Sequence, residues 1–104
     1  MDTQSSHSPQ FAFNRIVTLL GEQKRWHILN VLYDEPLPAG EIAKRIGIPQ
    51  TIASKHVGLL VNVGVVIRGY GNVYRIRPEL IVPGQRAVDF GVVVIRLDRI
   101  PSRT

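Results

Sequence analysis

The stretch AGEIAKRIGIPQTIASKHVGLLVNVGVVIRGYGNVYRI, residues 39–76, decides the fold. Ile42, Ala43 and Ile46 share one helical face between Pro38, an allowed first-turn residue, and Gly47, a helix stop, so 39–46 reads as a two-turn helix. A few residues later Pro49 opens a second run. Ile52, Ala53, Val57, Leu60 and Val61 keep helical spacing up to Gly64, which predicts a helix over 50–63. Beyond Gly64 the period changes. VVIR and VYRIR are β-branched and aromatic, and they flank GYGN, whose two glycines and Asn72 suit the positive φ of a hairpin turn. Two helices joined by a tight turn and followed by a hairpin describe an α+β chain built as a winged helix-turn-helix.

Upstream, PQFAFNRIVTLL starts at Pro9 and sets Phe13, Ile16, Val17 and Leu20 on one face, predicting a helix over 9–20 that Gly21 ends. EQKRWHILNVLY carries an apolar stripe of Trp26, Leu29, Val31, Leu32 and Tyr33 and stops at DEPLP, which predicts a helix over 22–33 with Trp26 and Tyr33 in the core. Downstream, Pro78, Pro83, Gly84 and Gly91 interrupt any helical pattern, and VVVIRL is β-branched, so a strand is expected near Val92–Leu97. Residues 1–8, MDTQSSHS, are polar and aperiodic and read as a disordered leader in which His7 is inert. The organisation expected is therefore a leader over 1–8, a winged-helix domain over 9–77 and an extension over 78–104 that belongs to the same domain or to a dimer interface.

A chain of 104 residues is one domain's worth. Its 13 Lys and Arg against 8 Asp and Glu leave a net charge of +5. That charge is lopsided, with net −1 over residues 1–35 and net +6 over 36–104. A positive field on that half favours a polyanion as partner, nucleic acid before an anionic membrane surface. The absence of cysteine excludes disulfides, thiolate metal sites and cysteine nucleophiles. Arg15 interrupts FAFNRIVTLL, and no apolar run approaches the length of a membrane span, so the expectation is a soluble, cytoplasmic protein with no membrane partner. No Ser-His-Asp frame, paired carboxylates in an apolar setting or nucleotide fingerprint can be assembled, and GYGN precedes a strand and lacks the Lys-Ser/Thr pair of a phosphate loop. An enzyme is not expected.

Residues 20–76 resemble the ArsR-type winged-helix repressors. Leu20, Arg25, Ile28 and Leu29 fall in the frame of the family's L-x-D-P-T-R-L-x-I-L. PQTIASKHV aligns with its recognition helix S-Q-S-T-V-S-R-H-L, with Gln50, Ser54 and His56 coinciding and Lys55 in place of Arg. RGYGNVYRI is similar to its basic wing and closing V-Y-Y-R-L. The resemblance implies a transcriptional regulator, a repressor, that binds double-stranded DNA. Burial of Ala53, Val57 and Leu60 turns Gln50, Thr51, Ser54 and Lys55 outward, where a major groove would meet them. His56 lies at the edge of that face, either close to DNA as in relatives or half-buried on a backbone hydrogen bond. In the wing, Arg68 and Arg75 flank the turn and Tyr70 and Asn72 sit at its tip, where the resemblance implies contact with the minor groove or flanking phosphates.

The departures from the family carry information too. Pro38 and Pro49 replace the serines that cap the third and fourth helices, and Gly58 stands where relatives have Lys. The positions of the sensing cysteines in metal-responsive relatives are Pro38 and Gly40, which cannot ligate, and no histidine follows His56. No metal or other cofactor is expected, His27 reads as a packing or surface residue, and the sequence leaves any small-molecule effector unknown. Family members dimerise through their first and last helices, and the last helix is missing here. A homodimer through Phe11, Phe13 and the Val92–Leu97 strand is therefore expected, the alternative being that the strand adds to the wing of its own subunit. Pro49, Gly58 and the apolar C-terminal segment keep open a second function, a winged-helix module that docks onto a protein partner.

Overall fold

The computed structural model describes residues 11–101. Four helices come first: α1 (Phe13–Leu20), α2 (Gln23–Asp34), α3 (Ala39–Ile46) and α4 (Gln50–Val63). An antiparallel hairpin follows, β1 (Val66–Arg68) with β2 (Tyr74–Ile76), and then a second, β3 (Ala87–Asp89) with β4 (Val94–Arg96). The fold is α+β and compatible with a winged helix.

Glycine and proline set the boundaries in the middle of the chain. Gly47 (φ +75°) and Gly64 (φ +99°) end α3 and α4 in the left-handed region that an L side chain resists. Their amides close the helices onto Ala43 O at 2.8 Å and onto Leu60 O and Val61 O at 3.2 and 3.0 Å. α3 and α4 have the bounds that the sequence predicts, with Pro38 and Pro49 at the capping positions just outside them. Both prolines are extended residues just before the first turn, and their carbonyls accept the amides of Ile42 and Ala53, each at 3.0 Å. Only Gly47, Ile48 and Pro49 separate α3 from α4, which fixes the tight helix-turn-helix.

A single apolar core joins every element. Ile16, Ile28, Leu29, Ile42, Val57, Leu60 and Val66 meet Leu80, Val88, Phe90 and Leu97 from the C-terminal segment. Residues 78–101 thus share the core of the helices.

The first helix departs from expectation at its start. Residues 9 and 10 lie outside the described residues, as does the leader, but Phe11 and Ala12 are described and are not helical. Phe11 leaves the helical run to bury itself against Phe90, ring centroids 6.0 Å apart and planes at 80°. Ile16 and Leu19 face the core, whereas Phe13 and Val17 stay 62% and 52% exposed instead of packing inward.

The expected strand over Val92–Leu97 is shorter, Val94–Arg96, and it is one arm of a hairpin with β3, in register Ala87↔Arg96, Val88↔Ile95 and Asp89↔Val94. It neither adds a third strand to the wing nor lacks a partner within its own chain. Leu97 instead opens a short 3-10 turn. Two turns bracket β3, the first folding residues 81–82 back onto it and the second joining it to β4. Gly84 (φ +76°) follows Pro83 in a turn closed by Gln85 N–H donating to Val82 O at 3.4 Å, the geometry that Pro-Gly favours. Gly91 (φ +88°) occupies the next, where Asp89 Oδ1 accepts its amide at 2.8 Å. Arg86 fixes this hairpin to α2: its Nε donates to Asn30 Oδ1 at 2.9 Å, its NH1 pairs with Asp34 at 2.7 Å, and its guanidinium lies 4.8 Å from the Tyr33 ring centre.

Trp26 and Tyr33 are half-buried and not central to the core. Each keeps its polar tip on a backbone carbonyl, Trp26 Nε1 donating to Leu20 O and Tyr33 Oη to Gln85 O, which a fully apolar site would deny them.

Candidate nucleic-acid interface

α4 is built with two unlike faces. Ala53, Val57 and Leu60 are buried, and Gln50, Thr51, Ser54 and Lys55 are exposed on the side away from them. The structure thus brings together four of the residues expected to face outward. Among the described residues none of these four side chains makes an ion pair. Gln50 lies over the start of α3, where its Oε1 would be 3.2 Å from a Cβ at position 40. Gly40 therefore sets the space in which Gln50 sits, a role that its place in the sequence did not suggest.

His56 is different. It is 8% exposed and turned inward, so it stands apart from the outward set with which the sequence grouped it. Its partner is also not backbone. Arg25 Nε donates to His56 Nδ1 at 3.2 Å, and Arg25 NH1 donates to Leu19 O at 2.9 Å, so one guanidinium from α2 joins α4 to the end of α1. Burial first, and the Arg25 charge second, hold the imidazole pKa below its ordinary value of 6.5. A neutral ring with Nδ1 free to accept is what this geometry requires.

The β1–β2 hairpin closes through a turn with Gly71 at φ +78° and Asn72 at φ +62°, the residue types that tolerate the left-handed region. Asn72 Oδ1 accepts from Arg68 Nε at 3.1 Å and NH2 at 2.8 Å, which holds the Arg68 guanidinium at the tip in a fixed orientation. Tyr70 is fully exposed beside it, and Arg75 is exposed on β2. The hairpin is also tied at both ends. Tyr74 and Leu37 exchange backbone hydrogen bonds of 2.8 and 3.0 Å, and Arg77 Nε donates to Gly64 O at 2.8 Å.

Charge distinguishes this surface from the rest. From residue 42 to residue 78 the chain contains six Lys and Arg and not one Asp or Glu. One of the six, Arg45, is neutralised from outside the stretch by Glu35 and Glu41 at 2.9 and 3.2 Å, and beyond it Arg86 pairs with Asp34 at 2.7 Å and Arg96 with Asp98 at 2.9 Å. Among the described residues Lys55, Arg68 and Arg75 have no such partner. No three His, Cys, Asp or Glu among the described residues are grouped so as to hold a metal ion, and no described helix is long and apolar enough to cross a membrane.

Compared with known proteins, the chain matches no family model and no curated protein. The geometry of this surface therefore has to carry the functional reading.

Proposed function

We propose that this chain is a sequence-specific, double-stranded DNA-binding transcriptional regulator, a repressor of the ArsR type, acting in the cytoplasm. The observation that carries the reading is the carboxylate-free stretch over 42–78, which contains both α4 and the hairpin. Fourteen helical residues span about 21 Å, and an α-helix fits a major groove of about 12 Å width. Gln50 suits the adenine edge, Thr51 a thymine methyl or a phosphate, Ser54 either, and Lys55 guanine or a phosphate. Arg68, Tyr70, Asn72 and Arg75 on the hairpin reach the flanking backbone or the minor groove. The role is one of binding, not catalysis.

A twofold homodimer fits an inverted repeat with recognition helices about one DNA turn apart. Phe13 and Val17 on α1 with Val92 beside β4 supply exposed apolar surface for that contact. Phe11 does not, being committed to Phe90. Titration with random and selected duplexes at rising salt tests the reading. Binding that weakens steeply with salt and a recurring motif among selected fragments are the expected results. A flat salt dependence, or no binding at about 50 mM salt, overturns it in favour of a protein-docking module. Sedimentation of a Phe13→Glu, Val17→Glu double variant tests the dimer, which is expected to become a monomer.

A further inference from the structure

On the side of the molecule formed by the C-terminal hairpin, a groove of about 310 Å³ is lined by Leu20, Trp26, Val94, Ile95, Ile100 and Pro101, with Arg96 and Arg99 completing its wall. None of these residues belongs to α3, α4 or the β1–β2 hairpin, so the groove is separate from the proposed DNA surface. Its size lies at the lower end of the range of small-molecule sites, and its walls are apolar apart from the two arginines.

The polar groups around it differ in availability. Trp26 Nε1 is engaged by Leu20 O, leaving the indole to contribute apolar surface. Arg96 is held by Asp98, Nε at 3.2 Å and NH2 at 2.9 Å. Arg99 is exposed and has no hydrogen-bond or ion-pair partner among the described residues. Arg99, whose charge is felt by Asp98 but which makes no direct pair with it, stands at the edge of an apolar groove and matches an amphipathic anion: a small apolar body to lie along Trp26, Val94 and Ile100 and one carboxylate to pair with Arg99.

We infer that this groove binds a small amphipathic carboxylate, of the class of a medium-chain fatty acid. Such a ligand would meet Leu20 and Trp26, the neighbours in sequence of Leu19 and Arg25, which form the link from α1 to His56 on α4. The site therefore sits where an effector of a regulator could act, although its binding does not depend on the DNA reading.

Trp26 is the chain's only tryptophan and lines this groove, so its emission responds to a ligand bound there. Titration of the full chain, without DNA, with octanoate below its micellar concentration is expected to give a saturable change in emission. Octanol is expected to bind more weakly, and Arg99→Gln, an exposed substitution, to weaken octanoate by about tenfold, the effect of one charged hydrogen bond. Equal responses to octanoate and octanol, indifference to Arg99→Gln, or no saturable change would overturn the site. Because no DNA is present, none of these outcomes bears on the DNA-binding reading.

Discussion

Removing the Phe90 ring is expected to separate a C-terminal segment that is integral to the fold from one that merely lies against it. Phe90 is completely buried, edge-on to Phe11, and the two rings join the N-terminal entry to the second hairpin. An aromatic side chain of this kind covers about 200 Å², worth about 5 kcal/mol at ~25 cal/mol per Å² as an upper bound, since the unfolded chain already hides part of its surface. With the cavity left behind included, Phe90→Ala is expected to cost about 3–5 kcal/mol. Domains of this size are stable by about 5–15 kcal/mol, so that variant stands close to unfolding. Phe90→Leu keeps most of the apolar volume and is expected to cost about 1–1.5 kcal/mol, which keeps the series measurable. Urea unfolding gives the numbers, read from the midpoint at unchanged m-value. A loss below about 1 kcal/mol for Phe90→Ala would refute the reasoning, because a ring that can be removed so cheaply is not part of the common core.

The His56 imidazole titrates below 6.5 in the folded chain and near 6.5 when unfolded, so acid favours the unfolded state: stability is complete above about pH 6.5 and falls as the pH drops through the folded value, a slope that His56→Gln should flatten in urea midpoints taken from about pH 8 to about pH 5. Gly58 is helical, exposed and has open space around a Cβ, so Gly58→Ala should raise stability by about 0.5–1 kcal/mol, whereas Gly47→Ala, at φ +75°, should lower it by about 1 kcal/mol or more, both read from thermal melting. In duplex binding, Lys55→Ala or Gln50→Ala should weaken a selected site by about 1–3 kcal/mol and relax base preference, while Arg75→Ala should weaken all sequences alike.

What the sequence disclosed follows from how local each cause is. α3 and α4 were legible because Pro38, Gly47, Pro49 and Gly64 punctuate them and because their apolar period is carried by neighbours one turn apart. The wing was legible for the same reason, GYGN being its own turn signal. The start of α1 was not, since Phe11 is drawn out of the helical pattern by Phe90 from the far end of the chain. Of the second hairpin only the β4 side was legible, from its β-branched run; β3 was not, because three residues are too few to display a period and the Pro83-Gly84 turn before it looks like an interruption. Four outward residues of α4 could be derived from its buried face. The inward turn of His56 could not, because it depends on Arg25 arriving from another helix.

The exchange of backbone hydrogen bonds between Leu37 and Tyr74 has a consequence for how such a surface can change over evolutionary time. It anchors the wing to the chain just before α3, and those bonds are made by main-chain atoms that substitution leaves in place. Side chains on α4 and at the hairpin tip can therefore drift while the distance between the two contact points is conserved, as between the jaws of a locked caliper. Under the DNA reading proposed above, descendants of this chain would be free to alter which bases they favour, while the interval between the two contact points would stay set by the backbone.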